Sequence, residues 1–206
     1  LVLTMRQILF LFIITLSVLS CKAQNPVVSL DAYRHRTPDG AYFKDLNNEF
    51  NKFEGTWTYT NGNVTFTLVL EKKEMIFNKT DYEDLLIGEY SYIENGSEII
   101  NTLSDLNDSD IEGHYHNISG RRILQNTNKY VTCDDCLPNE RRVKFYFADP
   151  DRDYLPTAIV LRYDLSSTIP ERITATIVAT DGVILPYEGA PEVIRVPYGE
   201  YIMEKQ

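Results

Sequence analysis

The chain has 206 residues, 43% of them hydrophobic, enough for one domain whose core needs no staples. A formal net charge of -10 and a pI near 4.8 exclude nucleic acid as a partner, because backbone binding depends on clustered Lys and Arg that release counterions. Fourteen tyrosines are a high count, and tyrosine favours strands and half-buried amphipathic surfaces.

The N-terminus carries the most specific signal. Met5 and Arg6 form a short n-region, and Ile8 to Leu19 is an apolar run of about a dozen residues, too short to span a bilayer but suited to a signal peptide. The following Leu19-Ser20-Cys21 resembles the lipobox of bacterial lipoproteins, in which the cysteine is acylated and the chain is cut before it. That resemblance implies a signal peptide over 1–20 and a membrane anchor at Cys21, where each buried methylene contributes about 0.8 kcal/mol. Lys22 stands where an Asp retains many such proteins in the inner membrane, so the resemblance implies the outer membrane, and with no acidic cluster after Cys21 to direct it to the outer surface, the periplasmic face.

Residues 21–40 are polar, hold Pro26 and Pro38 and show no sustained period, which predicts a tether. In Ala41 to Phe53 the spacing of Phe43, Leu46, Phe50 and Phe53 suits one face of a short helix that Gly55 stops. From Thr56 onward alternation takes over. Val64, Phe66, Leu68 and Leu70 share one face, and Asn61-Gly62 predicts a hairpin turn before them. Lys72 to Phe77 continues as strand or turn, and Leu85 to Tyr92 alternates up to a second turn at Asn95-Gly96, with Glu98 to Leu103 as its hairpin partner.

After an acidic loop over Asp105 to Gly113, strands are expected at Arg121 to Gln125, Val143 to Phe147, Ile159 to Tyr163, Ile173 to Ala179 and Glu200 to Glu204. With roughly eight to ten strands and no helical period after Phe53, residues 41–206 read as an all-β, antiparallel up-and-down barrel, since closure removes exposed edges.

"DLNNEFNKFEGTW" resembles the entrance of lipocalin and calycin barrels, where a short helix precedes Gly-x-Trp on the first strand. The resemblance implies that Gly55 and Trp57 form a barrel floor, with the Trp packed under a basic residue from the last strands, Arg195 or Arg162. "FEGTWTYTNGNVTFTLVLEKK" and "DLLIGEYSYIENGSEIINTL" also resemble an uncharacterised family of small Bacteroidetes lipoproteins, which brings no catalytic residues.

Other motifs carry weaker chemistry. Cys133-Asp-Asp-Cys136 in an oxidising compartment reads first as a structural loop disulfide, with a metal site and a redox pair as alternatives; two acids inside the ring raise thiolate pKa values. His114-x-His116 on a strand would share one face, with Asp110 or Glu112 as a third metal ligand, although a surface or core role is commoner. Asp149-Pro-Asp-Arg-Asp153 starts like a calcium loop, but Tyr154 and Val160 fill the positions that need Gly and Glu, so a solvated turn is expected. No nucleophile elbow, zincin or phosphate-loop motif is present, so neither a cofactor nor an enzyme activity is expected.

The leading expectation is a lipid-anchored barrel that binds a small apolar ligand or an envelope partner. The alternative is a non-catalytic interaction or structural module with a packed interior.

Overall fold

The computed structural model describes residues 25–126, 131–167, 169–182 and 185–206. The expected signal peptide and Cys21 lie outside the described residues. In chain order the strands are β1 (Val27–Ser29), β2 (Tyr42–Lys44), β3 (Gly55–Asn61), β4 (Val64–Phe77), β5 (Tyr82–Glu94), β6 (Ser97–Asn101), β7 (Ile118–Gln125), β8 (Arg141–Phe147), β9 (Thr157–Tyr163), β10 (Arg172–Ala179) and β11 (Gly199–Lys205).

Eight of these close an antiparallel barrel in the order β3-β4-β5-β7-β8-β9-β10-β11. The ring is completed where Lys205 pairs with Trp57 and Glu204 with Thr58, and on the far side where β5 meets β7 through Leu86–Gly120 and Gly88–Ile118. The alternation expected from sequence sets the inner wall. Phe66, Leu68 and Leu70 on β4, Val143, Phe145 and Phe147 on β8, and Ile173, Ala175 and Ile177 on β10 all belong to one buried cluster. The Asn95-Gly96 turn joins β5 to β6 with φ of 53° and 77°, the left-handed pair a tight hairpin requires.

β6 is a side hairpin and not a stave, because β5 divides one edge among three partners. Tyr82 and Glu83 pair with β2, Leu86 to Gly88 with β7, and Ser91 to Glu94 with β6. β5 is therefore covered on both faces, and outward Leu85 and Ile87 are as buried as inward Leu86. Gly88 is required in this strand: a Cβ there would stand 2.5 Å from the Leu70 side chain and 2.6 Å from the Val69 carbonyl oxygen.

Two expectations at the N-terminal side are corrected. The tether predicted over 21–40 is docked from Val27 onward: β1 runs parallel to β2, and Leu30 joins the core cluster. The helix predicted over 41–53 narrows to a single 3-10 turn at Asn51–Phe53, preceded by strand β2. Its aromatic spacing fits this conformation equally well, because the buried Asp45 carboxylate accepts from the backbone N–H groups of Glu49 and Phe50 and folds the chain so that Phe50 and Phe53 point under the barrel.

Candidate functional site: two closed ends and an outer wall

The floor is built as the Gly-x-Trp resemblance implied, with a different cation. Trp57 is fully buried, and its Nε1–H donates to the Phe53 carbonyl at 2.7 Å, which ties the strand to the preceding turn. Tyr163 meets both the Trp57 and Phe53 rings edge-on, at 6.5 and 6.3 Å. Over the Trp57 ring stands Lys205, its Nζ 5.3 Å from the centroid and 2.9 Å from the Glu171 carboxylate. Gly55 has φ +117°, and a Cβ on it would come within 3.2 Å of the Lys205 side chain, so this glycine lets the backbone turn and the lysine reach across.

Arg195, expected at the floor, lies at the opposite end. Its Nε donates to both oxygens of Asp149 at 3.0 and 3.1 Å, its backbone N–H donates to the same carboxylate at 2.8 Å, and Nη1 reaches Asp151 at 2.7 Å. Burial alone would raise the Asp149 carboxyl, but the hydrogen bonds from the Arg195 side chain and backbone outweigh it and hold the group below the usual carboxylate range. The expected solvated turn is present between β8 and β9, with Pro150, Asp151 and Asp153 exposed, but its first residue, Asp149, is 1% exposed and drawn into the barrel end.

This clasp fastens the connection before β11 across the barrel end. Ile194 and Val196, flanking Arg195, enter the core cluster together with Leu155. Tyr154 adds a hydrogen bond from its hydroxyl to the Pro191 carbonyl at 3.0 Å. Between the two ends, aromatic rings occupy the axis. Phe66 lies 5.0 to 6.5 Å from Tyr90, Tyr92, Phe147 and Tyr201, and Tyr90 stacks on Phe147 at 4.6 Å.

On the outer wall, Cys133 and Cys136 form a disulfide in the β7–β8 loop. Arg162, the other candidate for the floor, points outward instead. It holds Asp135 of the disulfide loop at 2.9 Å and Glu140 through Nε at 2.5 Å, and these carboxylates raise its pKa further. The expected disulfide and the nearby arginine are therefore brought together, although the sequence carries no spacing that pairs them.

The histidine pair is separated. Gly113–Tyr115 is a 3-10 turn and not a strand, so His116 Nδ1 meets the buried Glu89 at 2.9 Å while His114 Nε2 lies 3.4 Å from Glu83. Glu83 also takes Arg34 at 2.9 Å, Asn78 at 2.9 Å and Arg121. Glu89 takes the Asn117 side chain at 2.7 Å. Among the described residues no group of His, Cys, Asp and Glu is arranged to hold a metal ion, and no helix is long and apolar enough to cross a membrane.

Fold and interior define the class: a lipocalin-like, closed antiparallel β-barrel. Over residues 5–206 the chain matches a family of unknown function, DUF6705, and it belongs to that family. No curated protein and no solved structure matches the chain.

Proposed function

We propose that the protein is a lipid-anchored, non-catalytic interaction module of the bacterial envelope, working through its outer wall and loops and not through a ligand cavity. Acylation at Cys21 would hold it at the outer membrane, facing the periplasm. The observation that carries this reading is the cluster of buried aromatic side chains inside the barrel. The Trp57 floor closes one end, the Arg195 strap closes the other, and stacked aromatics occupy the axis between them. A small apolar ligand would have to displace that packing, at a cost of about 1.5–3 kcal/mol for each large side chain driven out.

The strap also exposes apolar side chains: Tyr187 is 63% and Val193 56% exposed. Such surface near a fastened loop suits contact with another protein. The test is native mass spectrometry of protein purified from its own envelope, followed by crosslinking in the cell. A bare mass and a discrete crosslinked partner are expected. An additional mass released on denaturation would overturn the reading in favour of a ligand carrier.

A further inference from the structure

Arg142 is the anomaly of the outer wall. Alternation in β8 turns Val143, Phe145 and Phe147 inward, which puts Arg142 on the outside, one step beyond the Val143–Leu161 pair and therefore beside Arg162 of β9. The register continues to Thr174 of β10, paired with Arg162, and Thr176 follows on the same face. Arg142 nevertheless exposes only 2% of its surface, and its Nε and Nη2 have no hydrogen-bond partner.

A guanidinium buried in this way carries a desolvation penalty that an anion meeting it would offset. The neighbouring Arg162 shows the contrast, because two carboxylates already engage it. Burial, and then the positive charge of Arg162, push the Arg142 pKa down against a smaller upward pull from the Glu140 carboxylate.

Arg142, Arg162, Thr174 and Thr176 line a cleft of about 360 Å³ roofed by Cys133 and Asp135 of the disulfide loop. We propose that this cleft is a carboxylate-binding site, with the Arg142 guanidinium as anchor and the threonine hydroxyls beside it. Arginine's planar fork matches a carboxylate in bidentate fashion. Asp134, Asp135 and Glu200 also border the cleft, so a doubly charged phosphate meets more repulsion than a single carboxylate, and a cationic body on the ligand offsets what remains.

The two unpartnered nitrogens lie below the surface, and a ligand reaches them by displacing the roof. That roof is tied down by the exposed Asp135–Arg162 pair and by the Asn126 amide donating to the carbonyls of Cys136 and Leu137 at 3.0 and 3.2 Å. An exposed ion pair of this kind is a weak restraint, which leaves the roof held chiefly by the Asn126 amide and able to yield to a bound anion. The site goes beyond the interaction-module reading and needs neither the anchor nor a protein partner.

The experiment follows the arginine Nε–H signals of the full, oxidised, 15N-labelled chain during addition of acetate, with chloride as the ionic-strength control. The expected result is a saturable shift of the Arg142 signal with acetate, a weaker response to phosphate, and loss of the response in R142K. If R142K does not fold, T174V serves in its place and is expected to weaken the response several-fold. Diglycine and its C-terminal amide separate the sources. Tighter binding of diglycine than of acetate, with no response to the amide, points to a chain terminus, and equal binding of diglycine and acetate points to a free small acid. No saturable shift with any carboxylate, or the same shift with chloride, overturns the proposal. Native mass spectrometry of the interior is untouched by that failure, so the two readings fall separately.

Discussion

Arg195 and Asp149, 46 residues apart in sequence, meet through side chain and backbone at once, the Nε at 3.0 Å and the amide N–H at 2.8 Å from the carboxylate. The pair works as a fastener because the residues on either side of Arg195 are core residues. Releasing the guanidinium should loosen Ile194 and Val196, which the same segment carries into the core.

Acid should loosen this end first. The folded Asp149 carboxyl sits below its unfolded value, so its contribution to stability is fully present above the unfolded pKa of about 3.9 and is lost as pH falls through the lower folded pKa. D149N removes the charge at every pH and leaves Arg195 without its buried partner, a loss of about 3–5 kcal/mol. Denaturant unfolding followed from pH 7 to pH 2 is expected to show the gap between wild type and D149N constant above about pH 4 and narrowing below it. Parallel curves over the whole range would remove the clasp from the account.

The cation over Trp57 is open to a direct check, because Trp57 is the single tryptophan. K205M should cost about 0.5–2 kcal/mol, the range for a cation over an indole face, with the emission remaining blue and acrylamide quenching slow. Fast quenching in wild type would take Trp57 out of the core. G55A should cost about 1–3 kcal/mol through backbone strain alone, since φ at this position is +117°.

Truncating the axis should convert a packed barrel into a hollow one. F66A removes the ring that touches Tyr90, Tyr92, Phe147 and Tyr201, at a cost of about 3–5 kcal/mol. The variant should then bind benzene or xenon, which wild type should not. Binding by wild type, read by calorimetry, would contradict a filled interior.

The disulfide closes a very short ring, so its contribution by chain entropy is about 2 kcal/mol or less. Reduction should leave the barrel intact and change amide signals mainly in residues 131–137 and around Arg162. Thiol counting after denaturation is expected to find no free thiol at Cys133 and Cys136 in oxidised protein.

Local geometry is what could be read from the residues alone. In β4 and β8 the apolar residues recur every second position because a pleated strand has only two faces, and Asn95-Gly96 marks its turn because few residues accept a left-handed pair. Gly55 and Trp57 were legible as a floor through the resemblance of Gly-x-Trp to lipocalin entrances, and the φ of +117° at Gly55 and the full burial of Trp57 fit that short-range arrangement. Which distant groups meet is settled only in the assembled barrel. Lys205, Arg162 and Arg195 are all basic residues near strand ends, and nothing local distinguishes the one that covers Trp57 from the one that fastens Asp149 or the one that holds the disulfide loop.

The helix expected over 41–53 failed on the same ground. Spacings of three and four residues fit a helix, but pairing of β2 with β5 and capping by Asp45 are contacts that exist only once the barrel has formed. The buried, unpartnered nitrogens of Arg142 were likewise invisible in an arginine-rich stretch beginning at Arg141, because burial is a property of the loop folded over them and not of the residue itself.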